Sequence, residues 1–227
     1  SSAASDVYKR QADGRVLFVV PWHNKVLVGT TDTLKNTIEL EPHYLEEEIE
    51  FLMKESAKYL ARGPRREDIL SVYSGLRPLI REKNKSTKAI SREHMIEVGK
   101  HGLVTIVGGK WTTFRKMGED AIDACRKAIQ ANWKKSGTEH LKLHGYLADF
   151  NPSNPRLQYG SDQDKIDEII RENPELKEKI HPNLFYIQAE VVFAVRYEMA
   201  QKLEDVLARR TRSLFLDSKS ALACAPS

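Results

Sequence analysis

The chain has 227 residues, 41% of them hydrophobic and 30% charged, with a formal net charge of +4 from 36 Lys and Arg against 32 Asp and Glu. That composition belongs to globular proteins of one or two domains and excludes disordered and fibrous classes. The small positive surplus is spread along the chain and fits a mild attraction for anionic substrates or lipid head groups, while no stripe of basic and aromatic residues marks a nucleic-acid binder.

Residues 1–13 carry neither the apolar core of a signal peptide nor the Arg-rich repeat of a transit peptide, and are expected to form a tail outside the fold. Two short β-branched runs, Arg15–Pro21 and Lys25–Thr30, are joined by Trp22-His23-Asn24, which predicts a β-hairpin. Their near-continuous apolarity predicts strands covered on both faces. Leu45, Ile49, Leu52, Met53 and Leu60 recur at helical spacing, with Glu46, Glu47 and Glu48 in the first turn. Acidic side chains there complement the helix dipole, a better account of the run than a metal cluster. Gly63-Pro64 is expected to stop this helix. Asp68–Leu79 then reads as a strand running into a Gly-Arg-Pro turn. A polar loop over 81–88 follows, and Ala89–Arg92 with Met95–Val98 form a short strand pair or one kinked strand.

Leu103–Val107 reads as a buried strand, Gly108-Gly109 as a tight turn, and Lys110–Ala131 as a helix with Phe114, Met117, Ala121, Ile122, Cys125 and Ile129 on its apolar face. Trp133–Pro155 has the Gly, Asn, Pro and Ser content of a linker. Ile166, Ile169 and Ile170 fit one short helix, and Val191, Val192, Val195, Leu203, Val206 and Leu207 fit a longer one, before the run Arg209-Arg210-Thr211-Arg212. Cys125 and Cys224 make neither a disulfide framework nor a metal site, and the one close histidine pair, His140 and His144, sits in the linker without supporting ligands. No stretch approaches the ~20 apolar residues of a membrane-spanning helix.

Three segments rise above this background. In Ser74-Gly75-Leu76-Arg77-Pro78, glycine permits close backbone approach and proline fixes the turn, so Arg77 is aimed. A fixed guanidinium is a planar fork for phosphate or carboxylate, although a turn arginine paired with a neighbouring carboxylate would look the same. Arg92 sits on an otherwise apolar strand, Ile90-Ser91-Arg92: pointing into a cavity it needs an anionic partner, and pointing outward it is a surface residue, the reading pattern alone favours. In Gly108-Gly109-Lys110-Trp111-Thr112-Thr113, a glycine turn meets a helix start, where N–H groups and the dipole suit an anionic or electron-rich ligand. Thr112 and Thr113 could cap that helix or touch the ligand. No nucleophile elbow, P-loop or G-x-G-x-x-G fingerprint is present.

Taken in order, Val16–Pro21 with Trp22, Gly29-Thr30-Thr31-Asp32-Thr33, Tyr73–Leu79, Ile90-Ser91-Arg92, Gly108–Thr113 and Arg209–Arg212 resemble FAD-dependent glycerol-3-phosphate dehydrogenase of the mitochondrial, quinone-linked type, over roughly residues 14 to 217. The resemblance implies a mixed α/β (α+β) chain. It holds part of an FAD-binding α/β domain with an antiparallel substrate cap, plus a C-terminal helical domain. In it, 1–13 is the tail, 14–98 the later part of the cap, 99–131 the strand and helix returning to the flavin domain, 132–155 a linker, and 156–227 the helical domain and tail. It further implies that Arg77 and Arg92 bind substrate, Arg92 gripping the phosphate. Lys110 would be the catalytic residue beside flavin and substrate hydroxyl, and Gly108, Gly109, Lys110, Thr112 and Thr113 would border the FAD ring. No metal is implied.

The implied chemistry is hydride transfer from C2 of sn-glycerol 3-phosphate to flavin N5, giving dihydroxyacetone phosphate, with electrons passed to quinone. The implied setting is a peripheral mitochondrial inner-membrane surface, or the cytoplasmic membrane outside eukaryotes; a homodimer is one assembly the sequence leaves open. The absent fingerprint makes this a fragment of the family's enzyme, with the general base elsewhere, and the isolated chain is expected to be inactive. Alternative readings are an oxidase passing electrons from the same site to oxygen, a non-catalytic phosphate-binding or interaction module, and an inactive truncated fragment.

Overall fold

The computed structural model describes residues 7–10, 16–77, 94–149 and 155–225. The chain falls into two units, Ser1–Gly75 together with Gly145–Ser227, and Leu76–His144. Among the described residues, helices and two small antiparallel sheets make a mixed α/β architecture, as expected.

In the first unit, β1 (Val7–Arg10), β2 (Val16–Trp22) and β3 (Lys25–Gly29) form one antiparallel sheet in that order. The β2–β3 hairpin turns at His23 and Asn24, whose φ values of 47° and 61° are left-handed, a conformation that asparagine tolerates well. The opening residues are therefore not wholly a tail. β1 pairs Val7 with Val19 through Arg10 with Val16, and so occupies the edge of β2 that the hairpin leaves open. Cover on both faces is incomplete: Leu17 and Val19 are buried, whereas Val26 is 57% exposed. α1 (Glu46–Ala57) packs on β2 and β3.

The acidic start of α1 acts as helix design. Glu48 accepts from the Leu45 N–H at 3.3 Å and from the Thr33 hydroxyl at 2.6 Å. Burial raises its pKa, but hydrogen bonds from Thr33, Thr31 and Leu45 and the charge of Lys35 outweigh it and bring the carboxyl below its ordinary value. The helix stops before Gly63-Pro64: a tightened turn, Lys58 N–H to the Glu55 carbonyl at 3.3 Å, ends it. A Cβ at Gly63 would come 3.2 Å from Ala57 Cβ, so that glycine serves close approach to the helix end.

No strand forms over Asp68–Leu79 among the described residues. Arg66–Asp68 is a single 3₁₀ turn, and 69–77 lack a regular element because partners 140 or more positions away take their polar groups. The Ser71 hydroxyl donates to the Leu214 carbonyl at 2.8 Å, and the Ser218 hydroxyl donates to the Leu70 carbonyl at 2.9 Å.

The helical part of this unit holds its main core. On α3 (Gln163–Glu172), Ile166 and Ile169 pack with Ala189 and Phe193 of α4 (Gln188–Tyr197). The longer helix expected over Val191–Leu207 is broken. Met199 turns left-handed at φ 61°, and a π-helical turn follows at Asp205–Arg210, where the Asp205 carboxylate reaches back to accept from Gln201 N–H at 3.0 Å and Lys202 N–H at 2.9 Å. Two short helices close the unit, α5 (Ser213–Leu216) and α6 (Ser218–Ala223). Leu184, Tyr186 and Leu216 form a second buried cluster against Trp22 of β2.

In the second unit, β4 (His94–Val98) and β5 (Val104–Gly108) pair antiparallel, and α2 (Phe114–Ala128) packs on both. α2 is the helix its periodicity predicts. Gln130 in the left-handed region closes it, with the Ala131 N–H donating to the Arg126 carbonyl at 3.0 Å. β5 is not buried, contrary to expectation: no residue of β5 or α2 is buried, and Ile122 and Ile129 are 57% and 63% exposed. β5 pairs with β4 and packs against α2, which leaves it open to solvent. The start of the expected linker packs with this unit, since Arg115 donates to the Thr138 hydroxyl at 3.2 Å.

Candidate functional site

Five of the expected site residues, Gly108, Gly109, Lys110, Thr112 and Thr113, lie in the short junction between β5 and α2. Gly108 and Gly109 have φ values of 77° and 81°, left-handed conformations that strain any residue with a Cβ. The second glycine also answers a packing demand. A Cβ there would come 2.5 Å from Met117 Sδ and 2.7 Å from its Cε, and 3.3 Å from His94 Cβ.

After the glycines, Trp111–Thr113 form a 3₁₀ turn that feeds α2. Thr113 organises this turn: its hydroxyl donates to the Lys110 carbonyl at 2.9 Å and accepts from the Lys110 N–H at 3.3 Å. Its side chain is thus engaged in capping, the plainer of the two roles open to it. Lys110 and Thr112 are exposed. Trp111 is 87% exposed and stacks on Phe114, the ring centroids 5.9 Å apart.

Beneath the turn lies a charged set that sequence reasoning missed. His94 Nε2 is 3.0 Å from Asp120 Oδ2, and Lys116 Nζ is 2.8 Å from Asp120 Oδ1. The Lys116 hydrogen bond, joined by that of His94, holds the Asp120 carboxyl below its ordinary range, against the opposing pull of burial. Glu119 is likewise lowered, first by Arg115 and then by Lys116. The i,i+4 spacing of Lys116 and Asp120 was legible in the sequence. The tie to His94, 26 positions away, was not.

Arg77 is exposed, at the start of the second unit. Arg92 lies outside the described residues. The junction offers what a flavin ring or a phosphate asks for: two glycines without a Cβ, an exposed ammonium at Lys110, and the start of a 15-residue helix.

Comparison with known proteins shows the family of the chain. Residues 2–115 match the family described as FAD dependent oxidoreductase, and residues 106–227 match the C-terminal domain of alpha-glycerophosphate oxidase. The chain is 35% identical over 239 residues to the mitochondrial glycerol-3-phosphate dehydrogenase of Mus musculus, covering 95% of this chain and 32% of the relative. It is 32% identical over 264 residues to the mitochondrial glycerol-3-phosphate dehydrogenase of Saccharomyces cerevisiae, covering 94% and 40%. Among solved structures, the glycerol-3-phosphate dehydrogenase from Bacillus halodurans complexed with FAD superposes with a TM-score of 0.72 at 25% identity, over 94% of this chain and 46% of that one. The chain thus spans about a third to two fifths of the length of these curated relatives. The two matched ranges overlap at 106–115, across the glycine junction itself. The chain belongs to the FAD dependent oxidoreductase family and carries the C-terminal domain of alpha-glycerophosphate oxidase.

Proposed function

We propose that this chain is the C-terminal portion of a flavoenzyme that oxidises sn-glycerol 3-phosphate to dihydroxyacetone phosphate. The observation that carries the reading is the β5–α2 junction, where two left-handed glycines present Lys110 at a helix start within both matched family ranges. The names of the mouse and yeast relatives and of the FAD-complexed neighbour support the same activity.

In this reading Gly108, Gly109, Lys110, Thr112 and Thr113 border the isoalloxazine. When bound there, FAD supplies the hydride acceptor for the substrate's C2. The residues of this chain do the rest. The glycines let backbone approach a flat ring without steric conflict. The helix start and the Lys110 ammonium favour the negative charge that accompanies flavin reduction. Lys110 also orients the substrate hydroxyl. Arg92 grips the phosphate and Arg77 supplies a second guanidinium, matching a dianion with two planar forks.

The electron acceptor is quinone at the surface of the mitochondrial inner membrane, in keeping with the mitochondrial naming of the mouse and yeast relatives. Among the described residues no helix is long and apolar enough to cross a membrane. The match to an oxidase domain favours a second reading, in which the same site passes electrons to oxygen.

The test is glycerol-3-phosphate-dependent dye reduction by the full-length, FAD-loaded protein, with Arg92→Ala as control. Loss of a charge-assisted phosphate contact costs about 2–5 kcal/mol, so KM should rise at least about thirtyfold. Stoichiometric peroxide in place of dye reduction would select the oxidase. A flavin-loaded protein that binds the substrate by calorimetry without turning over would make the chain part of a binding module.

A further inference from the structure

We propose that His94 and Asp120 form a positioning pair that fixes the glycine turn and Lys110 for the reaction given above; the inference rests on that reading. His94 opens β4 and stands opposite Gly108 in the strand register. Its ring crosses to α2, with Nε2 3.0 Å from Asp120 Oδ2 and only 20% of the side chain exposed. The other Asp120 oxygen accepts from Lys116 at 2.8 Å, which keeps the carboxylate ionised and oriented.

Asp120 stands apart from the other acids of α2. Glu119 pairs with Arg115 and Lys116, and Asp123 with Arg126, all within the helix. Of these three, Asp120 reaches across to a strand. The tie closes a short circuit: from His94 across the sheet to Gly108, through Gly109 and Lys110 into α2, and from Asp120 back to His94. Met117, one turn before Asp120, fills the space a Gly109 side chain would need.

Glycine with a left-handed φ has many alternatives open to it, so a turn of two needs holding from both sides. His94 holds the strand side and Asp120 the helix side. Without the tie, Lys110 would keep its charge and lose its fixed position, which catalysis punishes heavily: misplacement by about 1 Å can cost on the order of 10²-fold in rate. Neither His94 nor Asp120 needs to touch the substrate for this. Both act through the turn.

The test uses the full-length, FAD-loaded enzyme and compares His94→Ala, His94→Gln, Asp120→Asn, Lys110→Ala and the double variant His94→Ala/Lys110→Ala. The readouts are kcat and KM for glycerol 3-phosphate, the visible flavin spectrum, and the melting temperature. His94→Ala should lower kcat by about tenfold or more while KM moves by less than about twofold. His94→Gln, which keeps a side-chain N–H for Asp120, should recover most of the loss. Adding His94→Ala to Lys110→Ala should lower kcat no further.

A His94→Ala protein that melts lower yet turns over at the wild-type rate overturns the proposal, as do losses that multiply in the double variant. Should His94→Ala fail to fold, Asp120→Asn and His94→Gln decide by the same kcat criterion: Asp120→Asn must lower kcat and His94→Gln must hold it near wild type. Wild-type turnover in Lys110→Ala would instead overturn the role given to Lys110. The pair would then be judged on the flavin band, where a shift in His94→Ala supports positioning of the glycine turn and an unaltered band refutes it.

Discussion

Ser71 and Ser218, 147 positions apart, share a hydrogen bond in which the Ser218 N–H donates to Ser71 Oγ at 2.8 Å. The Ser71 hydroxyl donates to the Leu214 carbonyl at 2.8 Å, and the Ser218 hydroxyl donates to the Leu70 carbonyl at 2.9 Å. Tyr73 follows onto Phe215, ring centroids 4.8 Å apart. The segment that leads toward Arg77 is thereby sewn to α5 and α6 within one unit. Ser71→Ala should cost about 0.5–1.5 kcal/mol, because it removes hydrogen bonds between half-buried groups while the Ser218 N–H keeps the Leu70 carbonyl at 3.1 Å. Ser218→Ala added to it should cost less than the sum of the two. The urea midpoints of the single and double variants check this, and an unchanged midpoint in Ser71→Ala contradicts it.

The α3–α4 core should respond by cavity formation. Phe193 is 1% exposed, packs with Ile166 and Ile169, and meets Tyr159 edge-on at 5.3 Å. Phe193→Ala should destabilise by about 3–5 kcal/mol, whereas Ile166→Val should cost about 0.5–1.5 kcal/mol. Denaturant unfolding monitored by circular dichroism measures both, and equal effects would argue against this packing.

Gly109→Ala meets a left-handed φ of 81°, and its Cβ would lie 2.5 Å from Met117 Sδ, the flexible end of a side chain that must move aside. It should weaken flavin retention in the full-length protein while leaving the α3–α4 core folded. Adding Met117→Ala removes the clash and leaves the backbone strain of about 1–2 kcal/mol, so flavin should return only in part. Flavin-to-protein absorbance after gel filtration is the measurement. Full retention in Gly109→Ala would remove the turn from the site.

Acid sensitivity should appear at the α6 cap. Burial raises the pKa of Asp217, but hydrogen bonds from the Ser220 N–H at 3.0 Å and hydroxyl at 2.8 Å, with the charges of Lys25 and His181, bring it below its ordinary value. A carboxyl lowered on folding contributes stability that is fully present above its unfolded pKa, about 3.9, and is lost as pH falls through the folded value. Wild type should therefore be the more stable protein at neutral pH, and its lead over Asp217→Asn should shrink below about pH 4. Unfolding midpoints across pH 3–7 decide; a lead independent of pH would refute the assignment.

What the sequence made legible was local. The β2–β3 hairpin followed from two β-branched runs and an Asn turn, and α2 from its apolar period, because both are decided by neighbours within a few positions. What it hid was decided at a distance. Val7–Arg10 are too short to announce a strand and gain one only by pairing with β2. The apolar run after Asp68 looked like a strand until its polar groups met Leu214 and Ser218. The break at Met199 is invisible to a period count, since Val191–Leu207 keep apolar spacing across it. At the candidate site the glycine turn was legible from Gly108-Gly109, while the His94–Asp120 tie depends on a strand register that no local pattern encodes.

The most direct test is anaerobic mixing of the full-length, FAD-loaded protein with sn-glycerol 3-phosphate while the visible flavin absorbance is followed. Bleaching by glycerol 3-phosphate, with none by glycerol or by inorganic phosphate and with a markedly weakened response in Arg92→Ala, is expected. A flavin that stays oxidised in the presence of saturating glycerol 3-phosphate contradicts the proposed function.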